Sequence, residues 1–154
     1  MDPLSGDAPA TVFLFTRSDC PISNRYAPEV GRLQERFSNR DVEFWLVYPD
    51  PDETTETIRR HMEEYGYRFG ALRDPDHELV RQTGATITPE AAVFDGTGTM
   101  VYRGRIDDRY VAFGKTRATA TRHDLEDALS AVLDGGTVRD PTTKAVGCFI
   151  ADLK

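Results

Sequence analysis

One short stretch of the sequence places a reactive residue type where the fold could activate it. Residues 18–29 read SDCPISNRYAPE and directly follow the apolar run TVFLFT at 11–16. Cys20 therefore lies where a predicted strand ends and a predicted helix begins, at the edge where open α/β sheets bind ligands. Free N–H groups at a helix N-terminus stabilise a thiolate, the form that attacks disulfides and peroxides. The pattern predicts a nucleophilic Cys20, with a buried, inert cysteine as the alternative.

The second cysteine, Cys148, lies in the C-terminal tail, beyond the last predicted helix. Gly147 permits tight or left-handed backbone geometry beside it, and the apolar Phe149 and Ile150 indicate that the tail packs against the body. Such a tail could bring Cys148 to Cys20, and a disulfide would need Cα atoms about 4.4–6.8 Å apart. A packed small hydrophobe, or a thiol paired with another chain, remains the alternative for Cys148.

Strand and helix patterns alternate along the chain and would position both cysteines. In the N-terminal half of the chain, strands alternate with helices, which predicts parallel strands with right-handed crossovers. Further along, a hairpin around the turn DGTG adds antiparallel strands. The order β-α-β-α-β-α-β-β-α predicts an α/β fold with a central mixed β-sheet flanked by helices on both faces. The predicted strands are 11–16, 42–48, 68–72, 91–95 and 99–106, and the predicted helices are 21–37, 53–65, a short one within 74–84, and 121–134.

Length and composition exclude several classes of function. The 154 residues fit a single domain, predicted here as 1–154, with a core of about 10–135 and a tail of 137–154 that packs back with Cys148. The formal charge of −7 disfavours nucleic acid and anionic membranes as partners. No stretch is predicted to span a membrane. The first ten residues lack the pattern of a signal peptide, so a trimmed chain or a fragment of a longer protein is an open alternative.

A second motif lies in ATITPEAAVF, where Thr88 and Pro89 precede the first strand of the hairpin. Proline is tolerated at the first residue of a strand on steric grounds alone. Together with Cys20-Pro21, however, the arrangement resembles the thioredoxin superfamily, which has Cys-Pro at the start of the first helix and a cis-proline before the hairpin. The resemblance implies a thioredoxin-like fold, Cys20 as nucleophile, and Thr88 with cis-Pro89 as the loop that binds substrate. The runs TRSDCPISNRYAPE, YRGRIDDRY and TKAVGCFI are similar to those of bacterial redoxin-domain proteins.

Two departures from related patterns affect the expected chemistry. Ser23 occupies the position of the second cysteine in a thioredoxin Cys-x-x-Cys motif, so it could only hydrogen-bond the Cys20 thiolate. Arg17 stands where peroxiredoxins place a peroxide-orienting threonine, and Thr16 lies one residue further back, on the other face of a strand. An arginine close to the sulfur would favour the thiolate.

The leading prediction is a thiol–disulfide oxidoreductase in which Cys148 or an external thiol releases the mixed disulfide formed on Cys20. The partners would be a protein or small-molecule thiol or disulfide and a reductase, with no cofactor. One alternative is a peroxiredoxin-like thiol peroxidase, with Cys148 resolving a sulfenic acid on Cys20. Another is a non-catalytic thioredoxin-fold module that binds Cu(I) or a partner protein.

The histidines do not suggest a metal site. His61, His77 and His123 lie in charged, helical contexts and are predicted to be surface residues, so no metal ligands are assigned. An oxidising compartment would supply disulfides, which makes an extracytoplasmic, periplasmic location an expectation, although the sequence carries no signal that shows it.

Overall fold

The computed structural model describes residues 8–112 and 114–150. Strands form where β-branched and aromatic residues cluster, and helices where apolar residues recur every three or four positions. The strands are β1 (Ala10–Phe15), β2 (Glu43–Tyr48), β3 (Gly70–Arg73), β4 (Ile87–Thr88), β5 (Glu90–Asp95), β6 (Met100–Gly104), β7 (Tyr110–Ala112), β8 (Lys115–Thr116) and β9 (Cys148–Phe149). The helices are α1 (Pro21–Arg25), α2 (Ala27–Phe37), α3 (Thr55–Tyr65), α4 (Glu78–Thr83) and α5 (Asp124–Leu133), with a 3₁₀ turn at Ser38–Arg40.

Five strands form the central sheet in the order β3-β2-β1-β5-β6. β1 pairs in parallel with β2, and β2 with β3, because the intervening helices return the chain to the same end of the sheet. β5 runs antiparallel to both β1 and β6, and the turn after Asp95 joins the last two strands. The sheet is therefore mixed, and the predicted fold class is confirmed.

The central strand β1 is buried along its whole length and serves both cores. Val12 and Leu14 pack in a cluster that includes α2, α3 and α5. Phe13 and Phe15 pack on the opposite face in a cluster that includes α4 and Ile150. Because side chains of a strand alternate between faces, this single strand fixes both layers and holds the chain rigidly where Cys20 follows it.

The predicted helix at 21–37 is wrong in one respect, since it is interrupted at Tyr26. Pro28 lies in the first turn of α2, and its nitrogen has no hydrogen to donate to the preceding turn. Tyr26 keeps helical backbone angles between α1 and α2, and its hydroxyl donates to Asp107 over 2.6 Å. The break therefore separates a five-residue helix carrying Cys20 from the longer, core-packed α2.

The C-terminal tail, for which the sequence predicts no strand, contains β9. β9 pairs antiparallel with β4, and the Ile150 N–H donates to the Thr86 carbonyl over 2.9 Å. Two-residue strands such as β4 and β9 have no readable periodicity, which is why the sequence did not indicate this pairing. Residues 151–154 of the predicted tail lie outside the described residues.

Within 8–112 and 114–150, no helix has the length and apolar character needed to cross a membrane.

We expect Leu129→Ala to lower the free energy of unfolding by about 2–5 kcal/mol, measured by urea denaturation. Leu129 has no exposed surface and packs in the same cluster as Val12 and Leu14. The matched control is Val111→Ala, because 44% of Val111 is exposed and such changes usually stay within about 0.5 kcal/mol. Equal losses in the two variants would contradict this account of the core.

Candidate active site

Cys20 lies at the start of α1, one short loop after the end of β1. It is the N-cap residue, with extended backbone angles (φ −87°, ψ 112°), and Pro21 follows in the first turn of the helix. Pro21 suits that position because it has no N–H to leave unpaired. Only 1% of the Cys20 surface is exposed. The sulfur is therefore held inside the protein, against the elements that follow.

The loop before β5 lies against this sulfur. The Thr88–Pro89 peptide bond is cis, and the Cys20 thiol donates to the Thr88 carbonyl oxygen over 3.3 Å. Glu90, which is buried, accepts the N–H groups of Thr86 and Ile87 over 2.9 and 3.3 Å. No sequence pattern indicated this role of Glu90, which is the first residue of β5 and holds the loop that precedes the strand.

Cys148 reaches Cys20 from the tail. It lies opposite Thr88 in the β4–β9 pairing, and the Thr88 hydroxyl donates to the Cys148 carbonyl over 3.4 Å. The two cysteine sulfurs are 2.6 Å apart, and both thiols are free. The structure thus brings together Cys20, Thr88, Pro89 and Cys148, which are 128 positions apart at their extremes.

Gly147 allows this approach through its size. A Cβ atom at this position would overlap the Thr88 carbonyl oxygen. Its φ lies outside the left-handed region, so the expectation of left-handed geometry is replaced by a steric requirement. The tail can pair with β4 because residue 147 has no side chain.

The two thiols have opposite electrostatic environments. Burial raises the pKa of Cys20, but hydrogen bonds from Cys148, Ser23 and Thr88 to the sulfur outweigh it, so that the pKa is lowered overall. For Cys148, burial and the hydrogen bond to Cys20 raise the pKa to about 12. Cys20 therefore loses its proton more readily than Cys148, and the protonated Cys148 thiol can donate a hydrogen bond to the Cys20 thiolate once it forms.

The supporting residues divide between the two sulfurs. Ser23 is buried in the first turn of α1, and its hydrogen bonds to the sulfur help to lower the pKa of Cys20. Arg17 forms ion pairs with Asp19 over 2.7 Å and with Asp50 over 3.5 Å. Its positive charge lowers the pKa of Cys148, against the larger effect of burial. Arg17 therefore has an electrostatic effect on the tail cysteine, and its predicted effect on the Cys20 thiolate stays a prediction.

The predicted surface position is wrong for His61, which is buried in α3. It lies three residues after Ile58, on the inner face of that helix. Its Nε2 donates to the Asn24 side-chain oxygen over 2.6 Å, and the Tyr48 hydroxyl donates to its Nδ1 over 2.7 Å. The Asn24 amide donates in turn to the Ser18 carbonyl over 3.0 Å. This chain of hydrogen bonds ties the loop before Cys20 to the core.

Two further buried groups escaped the sequence-based prediction. His77, also expected at the surface, has no exposed area, and its Nε2 lies 2.9 Å from the Pro49 carbonyl oxygen. Glu53 is buried below the cysteine loop, and its carboxylate accepts the Ser18 N–H over 3.3 Å. Burial raises the pKa of Glu53, against the hydrogen bonds from Ser18. Glu53 lies in the turn after β2 and His77 in the turn after β3, where charged residues are ordinarily exposed.

Glu29, His123 and Glu126 are close enough to one another to hold a cation, with candidate ligand atoms within 4.8 Å. The Arg32 guanidinium, however, contacts both carboxylates over 2.7 Å. A cation would have to displace this arginine, so the cluster is an ion-pair network between α2 and α5.

Comparison with known proteins places this geometry in a family. Residues 3–103 match the AhpC/TSA family. The structure is similar to that of a hypothetical protein from Sinorhizobium meliloti, with a TM-score of 0.81 and 27% identity over 94% of this chain and 80% of that one. An uncharacterized conserved protein from Geobacillus kaustophilus gives a TM-score of 0.78 and 28% identity over 92% and 76%. No curated protein matches the sequence.

A secreted Mycobacterium tuberculosis disulfide oxidoreductase, homologous to E. coli DsbE, shares the fold with a TM-score of 0.56. The identity is 17%, over 86% of this chain and 84% of that one, so this likeness concerns the fold alone. The predicted thioredoxin-like fold and redoxin family are thereby confirmed.

We expect the stability of the wild type, relative to His61→Gln, to fall as the pH decreases below about 6.5. Burial lowers the pKa of His61, so the unfolded chain takes up a proton that the folded protein does not. The stabilisation is complete above the unfolded pKa and is lost toward the folded pKa, with a slope of at most about 1.4 kcal/mol per pH unit. Urea unfolding at pH 7, 6 and 5 measures it, and a pH-independent difference would contradict it.

Proposed function

This chain belongs to the AhpC/TSA family, and we propose on that premise that it is a thiol–disulfide oxidoreductase cycling between a Cys20/Cys148 dithiol and the corresponding disulfide. The main support is the 2.6 Å contact between the two sulfurs beside cis-Pro89. The family match and the thioredoxin-like fold support a redox function in general. The roles of Cys20 and Cys148 and the choice of disulfide substrates are part of what we propose.

In the first step, the Cys20 thiolate attacks one sulfur of a substrate disulfide. A bond forms between Cys20 and that sulfur, the substrate S–S bond breaks, and the departing substrate thiolate takes up a proton. The Cys148 sulfur then attacks Cys20, gives up its proton and releases the second substrate thiol. One substrate disulfide becomes two thiols, and the protein dithiol becomes a disulfide.

The neighbouring residues have positioning roles in this proposal. Thr88 and Pro89 form the loop that binds the substrate backbone, and the Ser23 hydroxyl hydrogen-bonds the Cys20 thiolate. Pro21 begins the helix that holds Cys20, and Arg17 acts on Cys148. Residues 1–154 work as one domain whose tail completes the site.

The proposed substrates are protein or small-molecule disulfides, and an external thiol or reductase regenerates the dithiol. Protein disulfides persist in oxidising compartments, so an extracytoplasmic location suits this activity.

A peroxidase would use the same cysteine pair with a peroxide as oxidant. The position expected to orient the peroxide is occupied by Arg17, which forms ion pairs with two aspartates.

An insulin-reduction assay with glutathione as reductant distinguishes a thiol–disulfide oxidoreductase from a peroxidase. The wild type should accelerate insulin reduction, and Cys20→Ser should lose the acceleration. Stoichiometric loss of micromolar peroxide without insulin reduction would favour the peroxidase.

We expect mild oxidation to convert the two free thiols into an intramolecular Cys20–Cys148 disulfide, because their sulfurs are already in contact. Intact mass and peptide mapping would show the loss of two hydrogens and the linked peptides. Two free thiols after oxidation would refute the redox proposal.

In the reduced protein, we expect Cys20 to be alkylated with a pKa below the free value of about 8.5, since its pKa is lowered by hydrogen bonds that outweigh burial. Cys148→Ala should raise this pKa, because the donor thiol is lost. Cys148→Ser is the matched control, since its hydroxyl can still donate. An unchanged alkylation profile in Cys148→Ala would show that Cys148 does not stabilise the thiolate.

A further inference from the structure

The tail covers the strand edge next to the reactive sulfur. β4 would otherwise present its backbone groups beside Cys20, and exposed strand edges bind extended peptides by adding a strand. Here β9 fills that edge, with Thr88 opposite Cys148 and Ile87 opposite Phe149. The chain's own tail therefore occupies the place that an extended peptide would take beside the nucleophile.

The opposite side of the tail is open. A cavity of about 600 Å³ borders it, with Tyr110, Val111 and Gly147 in its lining. Phe149, next to Cys148, is 75% exposed. The tail is thus attached through β4, through the Ile150 N–H donated to Thr86 and through the burial of the Ile150 side chain, whereas the side chain of Phe149 is open to solvent.

The two sulfurs differ in access. Cys20 is 1% exposed and belongs to the main core cluster, whereas Cys148 is half-buried at its margin. The charges of Arg17 and Asp19 both act on Cys148, and Asp19 is largely exposed. Cys148 is therefore the member of the pair that lies toward solvent.

We infer that β9 is a cover over Cys20, and that an external thiol reduces the disulfide by attacking the Cys148 sulfur, with Cys20 as the leaving group. This inference rests on the proposed function and specifies which sulfur the reductant meets. The reductant is a small-molecule thiol, or a thiol on an extended segment of a protein, that can reach the Cys148 sulfur.

The external thiolate forms a bond to the Cys148 sulfur while the Cys148–Cys20 bond breaks, and Cys20 leaves with the electron pair as a thiolate. A second external thiolate then attacks the sulfur of the first. The external disulfide departs, and Cys148 takes up a proton. Two external thiols are oxidised, and one protein disulfide is reduced.

The environment of each sulfur favours this direction. A leaving thiolate departs faster when its pKa is lower. Cys148 is bonded to the external sulfur during this step and has no proton to donate, so Ser23 and Thr88 are the groups that hydrogen-bond the departing Cys20 thiolate. Cys148, whose pKa is raised, is the poorer leaving group. The greater exposure of Cys148 favours attack of the external thiolate on the Cys148 sulfur. The lower pKa of Cys20 favours its release as the leaving thiolate.

Sulfite is the probe for the attacked sulfur, because it cleaves a disulfide into one S-sulfonate and one thiolate. The oxidised wild-type protein is treated with excess sulfite, quenched in acid, and mapped by mass spectrometry. We expect the sulfonate on Cys148 in at least about tenfold excess over Cys20. The same protein unfolded in urea is the control, and its two sulfurs should react to similar extents.

The possible outcomes separate this inference from the proposed function. A sulfonate mainly on Cys20, or evenly divided in the folded protein, overturns the inference and leaves the dithiol cycle intact. Failure of the oxidised protein to contain a Cys20–Cys148 disulfide, seen in its mass before sulfite is added, defeats both.

The cover itself is tested in reduced protein carrying Cys148→Ser, which leaves Cys20 as the sole thiol. Adding Gly147→Ala introduces a Cβ that overlaps the Thr88 carbonyl, so the tail must move off β4. We expect iodoacetamide to alkylate Cys20 at least about tenfold faster, at a pH where Cys20 is fully ionised. Gly31→Ala, which adds a Cβ to open space, is the matched control, and equal rates in all three proteins would overturn the cover.

Discussion

The close approach of Gly147 to the Thr88 carbonyl is the constraint on which the candidate site depends. It allows β9 to pair with β4 and places the Cys148 sulfur 2.6 Å from the Cys20 sulfur. A two-residue strand contributes few hydrogen bonds of its own, so steric fit decides whether it pairs at all. The contact between the two sulfurs, and with it part of their opposite pKa shifts, follows from this approach of two backbone segments.

The site also depends on a rigid floor beneath the loop that carries Cys20. Glu53 accepts the Ser18 N–H, and the Asn24 amide donates to the Ser18 carbonyl. His61 joins Asn24 to Tyr48 of the central sheet. Buried polar groups are costly unless they are paired, so these bonds keep the loop in one conformation and fix the distance between Cys20 and the cis-proline loop.

Separating two thiols between a core position and a tail has chemical consequences. In a Cys-x-x-Cys motif both sulfurs belong to one helical turn, whereas here the partner of Cys20 arrives on a separate strand and can leave with it. In the proposed cycle, the same tail covers Cys20 and supplies the second thiol. Ser23, at the position a second cysteine would take, is left to stabilise the thiolate.

The sequence by itself determined the mixed α/β fold, the position of Cys20 between a strand and a helix, and the position of Thr88-Pro89 before the hairpin, because strand and helix periodicity and proline geometry are local properties. It could not determine that Cys148 meets Cys20, that Gly147 is required by a steric contact, or that His61, His77 and Glu53 are buried. These features depend on which distant segments pack together. Pairing between two-residue strands and the burial of single polar residues leave no periodic signal, so only the tertiary structure decided them.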